Sequence, residues 1–66
     1  MDKETIGRRL RELRGVFRTQ REVADAIGIS PAALSMWENG ERVPGDLAKI
    51  ALANYYGKTV QELFYD

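Results

Sequence analysis

The 66-residue sequence contains no cysteine and no histidine, and these two absences exclude several classes of protein. Without cysteine, the chain has no disulfide scaffold and no thiolate ligands for a metal ion. Without histidine, it lacks the side chain most often used for proton transfer and metal binding near neutral pH. We therefore expect no metal site and no cofactor, and an enzyme is disfavoured, because the remaining residues form no recognisable nucleophile and base pair.

Long apolar runs are also missing. The longest such run is Ile50 to Ala53, whereas a membrane-spanning helix needs about 20 apolar residues. The first four residues offer no apolar stretch behind a basic cluster, so we expect neither a signal peptide nor a membrane partner. Apolar residues make up 44% of the chain and charged residues 30%, which is typical of one small globular domain over residues 1–66. We expect a cytoplasmic protein.

The charges sum to zero, but they are unevenly distributed along the chain. Residues 1–21 carry seven cations and three anions, whereas residues 22–66 carry three cations and seven anions. Six of the seven N-terminal cations are arginine, which suits forked contacts to phosphate better than lysine does. This asymmetry indicates an anionic partner for the basic half, although a solvated arginine-rich helix surface explains the charges equally well.

Capping signals and stop signals divide the chain into five short helices. The start signals are Asp2, the T-x-x-E capping boxes at Thr19 and Thr59, Ser30 with Pro31, and Pro44. The stop signals are Gly15, predicted to be left-handed, then Gly28, Asn39–Gly40 and Gly57. The third helix is predicted from Pro31 to about Glu38 and the fourth from Gly45 to about Tyr56. No segment alternates as a half-buried strand does, so the predicted fold class is all-α.

The second and third helices are separated by only the three residues 28–30. This link is too short for side-by-side antiparallel packing, so the two helices must cross at a steep angle, as in a helix-turn-helix. Ala24 supplies the small residue that crossing helices need, and Gly28 tolerates a positive φ in the turn. Ile29, Leu34 and Trp37 are predicted to anchor the turn and the inner side of the third helix.

An ordered set of short motifs extends these signals over roughly residues 4 to 64. The set is Ile6 to Arg14, Thr19–Gln20, Val23–Ala24, Gly28–Ile29–Ser30, Leu34 to Gly40, Pro44, and Gly57 to Phe64. In these motifs the sequence resembles the Cro/repressor-type (XRE-like) helix-turn-helix family of bacterial and phage transcription regulators. The resemblance implies a compact five-helix lambda-repressor-like domain, with its helix-turn-helix at helices two and three. The third helix would then enter the major groove of double-stranded DNA.

The resemblance also implies roles for several polar residues. Gln20 would bind a phosphate at the start of the second helix, and Asn39 and the following loop, with Arg42 nearby, would meet the backbone on the other side. Arg14 and Glu38 occupy positions that form an internal ion pair in the family, so Arg14 is interpreted as structural. Further phosphate candidates flank the start of the second helix, where solvation is an equal alternative; they are Arg18 and Arg21.

The outward side of the third helix is poor in side chains that usually read bases. It contains no arginine for guanine and no glutamine or asparagine for adenine. The predicted base-reading residues are Ala32, Ser35 and Met36, with Pro31 beside them. Their methyl and thioether groups suit thymine methyl groups, although alanines can also be mere helix formers. We therefore expect an A/T-leaning site and a steep salt dependence, with phosphates, DNA shape and dimer geometry supplying much of the binding energy.

The fourth helix is apolar nearly all round, whereas a lone surface helix carries only an apolar stripe. One of its faces is predicted to cover the core, and the other to form a homodimer surface of Leu47, Ile50, Ala51 and Tyr55. The alternative is that so small a domain needs this area for its own core. The loop 15–18 is one residue shorter than the common family version, which leaves open whether Val16 or Phe17 fills the core.

The predicted function is that of a sequence-specific transcription regulator, with repression the favoured activity. A twofold dimer would place its two reading helices about 34 Å apart on a palindromic operator. No small-molecule substrate is expected. The alternative function is a protein-interaction module on the same fold, such as an antitoxin-like or coactivator-like adaptor. Two features favour this alternative: the third helix has few base-reading side chains, and the fourth helix is apolar nearly all round.

Overall fold

The computed structural model describes residues 1–65, and over this range the chain forms five helices and no strand. The helices are α1 (Lys3–Arg14), α2 (Gln20–Ile27), α3 (Pro31–Glu38), α4 (Asp46–Tyr56) and α5 (Val60–Phe64). The prediction of an all-α fold with five helices is confirmed. None of the helices within residues 1–65 is both long and apolar enough to span a bilayer.

Four of the five helix starts within residues 1–65 are held by the predicted capping side chains, whereas α4 starts after Gly45 without one. The Asp2 carboxylate accepts a hydrogen bond from the Thr5 backbone N–H at 2.7 Å, which lowers the pKa of Asp2 below its ordinary value. Thr19 and Thr59 each form a reciprocal capping box with the glutamate three residues later. The Ser30 hydroxyl accepts from the N–H three residues on, at 3.1 Å. Each of these contacts satisfies a first-turn N–H that has no acceptor within its helix.

Two of the helix-ending glycines differ in conformation. Gly28 ends α2 in the left-handed region, with φ 74° and ψ 35°, as the turn of a helix-turn-helix requires. Gly15 ends α1 with φ 69° but ψ −163°, far from the left-handed value of about 47°. The prediction of a left-handed Gly15 is therefore wrong, because the chain leaves α1 in an extended direction instead of turning back on it.

The hydrophobic core draws on all five helices. Ala24 and Leu34 are fully buried where α2 meets α3, as the crossing of the two helices requires. The buried hydrophobic residues are Ile6, Leu10, Val23, Ala24, Leu34, Trp37, Leu52, Ala53, Leu63 and Phe64. Because α2 and α3 share this core with α1 and α4, the helix-turn-helix is fixed relative to the rest of the domain.

Neither Val16 nor Phe17 fills the core, since their exposed fractions are 91% and 96%. The loop is held instead by its last residue, Arg18. The backbone oxygen of Arg18 accepts a hydrogen bond from Arg14 Nη1 at 2.9 Å. Because these polar contacts position the loop without its two apolar side chains, Val16 and Phe17 form an exposed apolar tip between α1 and α2.

The contact between α1 and the end of α3 depends on Gly7. A Cβ atom at this position would lie 2.6 Å from the Glu38 carbonyl oxygen and 2.7 Å from that of Trp37. Such distances are too short for any side chain, so the backbones of α1 and α3 approach each other directly. This contact fixes the C-terminal end of the helix that carries the predicted base-reading residues.

Candidate nucleic-acid interface

The four predicted base-reading residues lie together on the side of α3 that faces away from the core. Leu34 and Trp37 occupy the buried side of this helix, and Ala33 packs partly against the same core. Of the predicted reading residues, Pro31 and Ala32 are exposed, and Ser35 and Met36 are half-buried. Within the domain, the outer face of α3 is thus exposed in its first turn and partly exposed in its second.

A buried carboxylate at the end of α3 joins three helices. The side chain of Glu38 has no exposed surface, and it accepts two hydrogen bonds from Arg14, from Nε at 2.8 Å and from Nη2 at 2.9 Å. A third hydrogen bond comes from Gln20 Nε2 at 3.0 Å. Hydrogen bonding to the carboxylate raises the pKa of the Arg14 guanidinium further above its ordinary value. The two residues of the predicted ion pair are therefore in contact, and their contact ties α1 and α2 to α3.

Arg11 completes the attachment of α3, and the sequence reasoning missed its role. Arg11 Nη2 donates to the Glu38 carbonyl oxygen at 3.2 Å and to Asn39 Oδ1 at 2.8 Å. A cation near the last carbonyl groups of a helix is favoured by the helix dipole. The available signal was spacing, because Arg11 lies three residues before Arg14 and so on the same side of α1.

The Asn39 side chain is also used within the domain. Besides accepting from Arg11, its Nδ2 donates to Ser35 Oγ at 3.3 Å. Because Ser35 Oγ accepts this hydrogen bond, its own O–H hydrogen is left to donate outward. The amide of Asn39 thus positions a predicted base-reading hydroxyl, and the second hydrogen of its Nδ2 is left as the donor for the predicted phosphate contact.

Gln20 occupies the first position of α2, where the backbone N–H groups of the opening turn lack acceptors within the helix. Its side-chain amide is fixed by the hydrogen bond to Glu38. An amide nitrogen carries two hydrogens, so one is left after the bond to Glu38, and it lies at a helix N-terminus, a position that favours anions. The internal contact orients Gln20, so the predicted phosphate contact would need no rearrangement of its side chain.

Arg18, another predicted phosphate contact, packs against α4. Its guanidinium lies 5.5 Å from the centre of the Tyr55 ring and 5.4 Å from that of Tyr56, and it donates to the Leu13 carbonyl oxygen at 3.3 Å. Such cation–π contacts stabilise by about 0.5–2 kcal/mol. Burial raises the pKa of Tyr56 to about 12, so this phenol stays neutral at physiological pH. These contacts direct Arg18 inward.

The basic half of the chain is largely occupied by contacts within the domain. Arg9 Nη1 donates to the Glu62 carbonyl oxygen at 2.7 Å and so connects α1 to α5. Arg11, Arg14 and Arg18 make the internal contacts described above. Arg21 and Arg42, by contrast, are exposed, and Arg21 makes only a loose ion pair with Asp25 at 3.8 Å. Four of the seven N-terminal cations therefore make contacts within the domain, and the other three, Lys3, Arg8 and Arg21, are exposed.

The four residues of the predicted homodimer surface are unequally exposed. Leu47 is 85% exposed and Ile50 is 49% exposed, whereas Ala51 and Tyr55 are half-buried. Tyr55 packs edge-on against Tyr56, with ring centres 5.1 Å apart. The apolar surface that remains uncovered lies mainly in the first turn and a half of α4.

Five helices with a helix-turn-helix at α2 and α3 define the class of small DNA-binding domains built like the lambda and 434 repressors. Residues 8–63 match the helix-turn-helix family, and the chain belongs to this family. Its family and structural neighbours are DNA-binding transcription regulators of the Cro/C1 type. The predicted resemblance and the predicted fold are confirmed.

Similar proteins include one curated relative and several solved structures. This chain is 43% identical to an uncharacterized HTH-type transcriptional regulator, YvzC of Bacillus subtilis (strain 168). The match extends over 44 residues, which are 67% of this chain and only 57% of that relative. The SOS-response transcriptional repressor LexA from Eubacterium rectale has a TM-score of 0.90 at 29% identity, with coverage of 98% of this chain and 70% of that one.

Two further structures have the same arrangement. The restriction-modification controller protein C.AhdI from Aeromonas hydrophila has a TM-score of 0.83 at 29% identity, covering 92% of this chain and 94% of that one. The DNA-binding domain of the P22 c2 repressor has a TM-score of 0.82 at 26% identity, and the match covers 96% of this chain and 84% of that one.

Proposed function

We propose that this chain acts as a sequence-specific transcriptional repressor, with residues 1–66 forming one DNA-binding domain that works in the cytoplasm, at the nucleoid when bound to DNA. As a homodimer it inserts α3 of each protomer into the major groove of a palindromic operator. The observation that carries the proposal is the accessible outer face of α3, a helix whose end is held by the hydrogen bonds of Arg14 and Gln20 to Glu38. The naming of two structural relatives as repressors supports the direction of regulation.

Sequence reading is assigned to Pro31, Ala32, Ser35 and Met36. Three of these side chains offer only apolar contacts, which suit the methyl group of thymine in the major groove. Ser35 contributes a hydroxyl whose hydrogen is free to donate, because Asn39 already supplies a hydrogen bond to its oxygen. This face favours A/T base pairs and offers no bidentate contact to guanine.

Phosphate binding is assigned to both ends of the reading unit. Gln20 with the N-terminus of α2, and Arg21 beside it, bind one backbone segment, and Asn39 with Arg42 binds the other. Arg18 is left out of this set, because its guanidinium packs on the tyrosine rings of α4.

The selection of bound fragments from random DNA tests the proposal. We expect an A/T-leaning site with two half-sites related by twofold symmetry and centred about 10 base pairs apart. Met36→Ala should change the preferred base at one position of each half-site, since it removes an apolar contact to a base edge. If no sequence is enriched, the adaptor function becomes the better proposal; one observation already favours it, the exposed tip of Val16 and Phe17.

Arg42→Ala is expected to weaken binding to every sequence and to reduce its salt dependence. If Arg21 and Arg42 each neutralise one phosphate, a dimer neutralises four, so affinity should fall about 100-fold between roughly 50 and 200 mM salt. Removing both copies of Arg42 should about halve the slope of log K against log salt. Lys58→Ala removes the same charge beside α1 and α5 and serves as the matched control. An unchanged slope in Arg42→Ala would remove this residue from the phosphate contacts.

A further inference from the structure

An apolar groove of about 490 Å³ lies between the turn of the helix-turn-helix and the first half of α4. Its walls come from three helices and from the turn itself. The residues that form them are Ile27, Ile29, Ala33, Trp37, Ala48 and Ala51. The reading face of α3 lies on another side of that helix, so DNA in the major groove would not fill this groove.

The chemistry of the lining determines what can occupy the groove. Among the side chains that line it, only Ser30 and the indole N–H of Trp37 are polar, and the Ser30 hydroxyl already accepts a hydrogen bond from the Ala33 N–H at 3.1 Å. Ligand sites in proteins combine apolar walls with a few polar groups that fix the orientation of the ligand. Here no charged side chain lines the groove, so its fitting occupant is an aliphatic side chain.

Such a side chain is present at the rim of the same groove. Leu47 lines its edge and is nevertheless 85% exposed, and Ile50 follows less than one turn later at 49%. Because the exposed leucine and the groove are adjacent, a twofold axis passing close to Leu47 brings each leucine to the groove of the other copy. Contacts of this kind are self-complementary, as the interface of a twofold dimer must be.

We propose that Leu47 of each protomer packs into the groove of its partner, against the turn that begins α3. This inference rests on the homodimer of the proposed function and specifies its contact. The leucine of the partner then contacts Ile29 and Ala33 directly, so dimerisation stabilises the turn that positions the reading helix. Pairing of protomers and placement of α3 are thereby coupled.

The available surface also sets the expected strength of the dimer. A standard stable interface buries about 800 Å² on each partner, close to one fifth of the 4117 Å² that this domain exposes. The exposed apolar side chains of the first turns of α4, Leu47 and Ile50, supply less than that, since even an aromatic side chain buries only about 150–250 Å². We therefore expect a weak dimer in solution that forms more completely when two half-sites on one DNA molecule hold both protomers.

The single tryptophan of the chain makes the groove observable, since Trp37 lines it. Trp37 emission and the mass from sedimentation are measured between about 1 µM and 1 mM protein, which spans weak dimerisation. We expect both signals to change together with concentration. Leu47→Asn should weaken dimerisation at least tenfold and abolish the change in emission, while circular dichroism reports that the fold is kept.

Two further variants test whether Leu47 binds in the groove of the partner. Phe17→Asn removes an even more exposed apolar side chain outside the groove, and it should leave dimerisation unchanged. Ala51→Gln narrows the groove while Leu47 is kept, and it should weaken dimerisation. Because both changes remove the same contact, adding Leu47→Asn to Ala51→Gln should cause little further loss.

The outcomes separate the two proposals. A wild-type chain that stays monomeric both in solution and on DNA overturns the homodimer and this inference together. A dimer that is insensitive to Leu47→Asn, or equally sensitive to Phe17→Asn, overturns the inference alone. A dimer that depends on Leu47 while Trp37 emission stays constant places the leucine elsewhere and also overturns it.

Discussion

Replacing Gly7 by alanine is expected to lower the free energy of unfolding by about 2 kcal/mol, although alanine is the better helix former. In a helix interior, alanine gains about 1 kcal/mol over glycine. Here, however, the new Cβ would lie 2.6 Å and 2.7 Å from the carbonyl oxygens of Glu38 and Trp37. Overpacking costs about 1–3 kcal/mol, and more when backbone atoms must move. The clash therefore outweighs the gain in helix propensity.

Thermal unfolding followed by circular dichroism measures this effect. For a domain of this size, a loss of 2 kcal/mol lowers the melting temperature by roughly 10 °C. Gly45→Ala is the matched control: Gly45 has φ −71°, and an added Cβ would meet nothing within 4 Å. Because Gly45 is the N-cap of α4, where glycine is preferred to alanine, the control should lose at most about 1 kcal/mol, less than the loss expected at Gly7. A Gly7→Ala variant as stable as the wild type would contradict the direct backbone contact between α1 and α3.

Glu38→Ala is expected to destabilise the domain by about 3 kcal/mol. Removal of one partner from a buried ion pair leaves the other charge uncompensated, which costs about 3–5 kcal/mol. The lower end applies, because the Arg14 side chain is 17% exposed and can recover part of its hydration. Gln20 also loses the acceptor that orients its amide. The loss should be visible in urea unfolding as a lower midpoint.

Two comparisons identify the origin of that loss. Glu41→Ala removes an exposed carboxylate three residues further along the chain and should have little effect. The double replacement of Arg14 and Glu38 by leucine should cost less than the sum of the two single changes, because it leaves no unpaired buried charge. Additive losses would contradict the ion pair as the source of the stability.

Glu38 also links stability to DNA binding. Its carboxylate holds Gln20 at the start of α2, where the phosphate contact is proposed, and its backbone oxygen receives Arg11 at the end of α3. Replacing Glu38 removes the contact with Gln20 and keeps the one with Arg11, because any residue at this position supplies the carbonyl oxygen. Although Glu38 touches no DNA in the proposed complex, its replacement should weaken binding even at temperatures where the variant stays folded.

Local signals in the sequence predicted most of the fold. The capping boxes at Thr19 and Thr59, and the serine–proline start of α3, all formed as expected. Each of these signals depends on atoms within four residues along the chain, so the sequence alone contains the necessary information. The order of these motifs also identified the family before any packing was known.

The binding partners of the arginine side chains could not be predicted from local signals in the same way. A basic first third of the chain indicated a basic surface, yet Arg9, Arg11 and Arg18 bind carbonyl oxygens or aromatic rings of the domain itself. Their partners lie as far as 53 residues away along the chain. No local pattern distinguishes an arginine that meets a phosphate from one that meets the end of a neighbouring helix.

The sequence by itself determined where the helices begin and end and which family the chain belongs to, since both follow from short-range hydrogen bonding and apolar spacing. Only the tertiary structure decided that Gly7 must lack a side chain, that Val16 and Phe17 stay outside the core, and that an apolar groove lies beside Leu47. These features arise where helices distant in sequence are brought together, and the shape of such contacts depends on the packing of the whole domain.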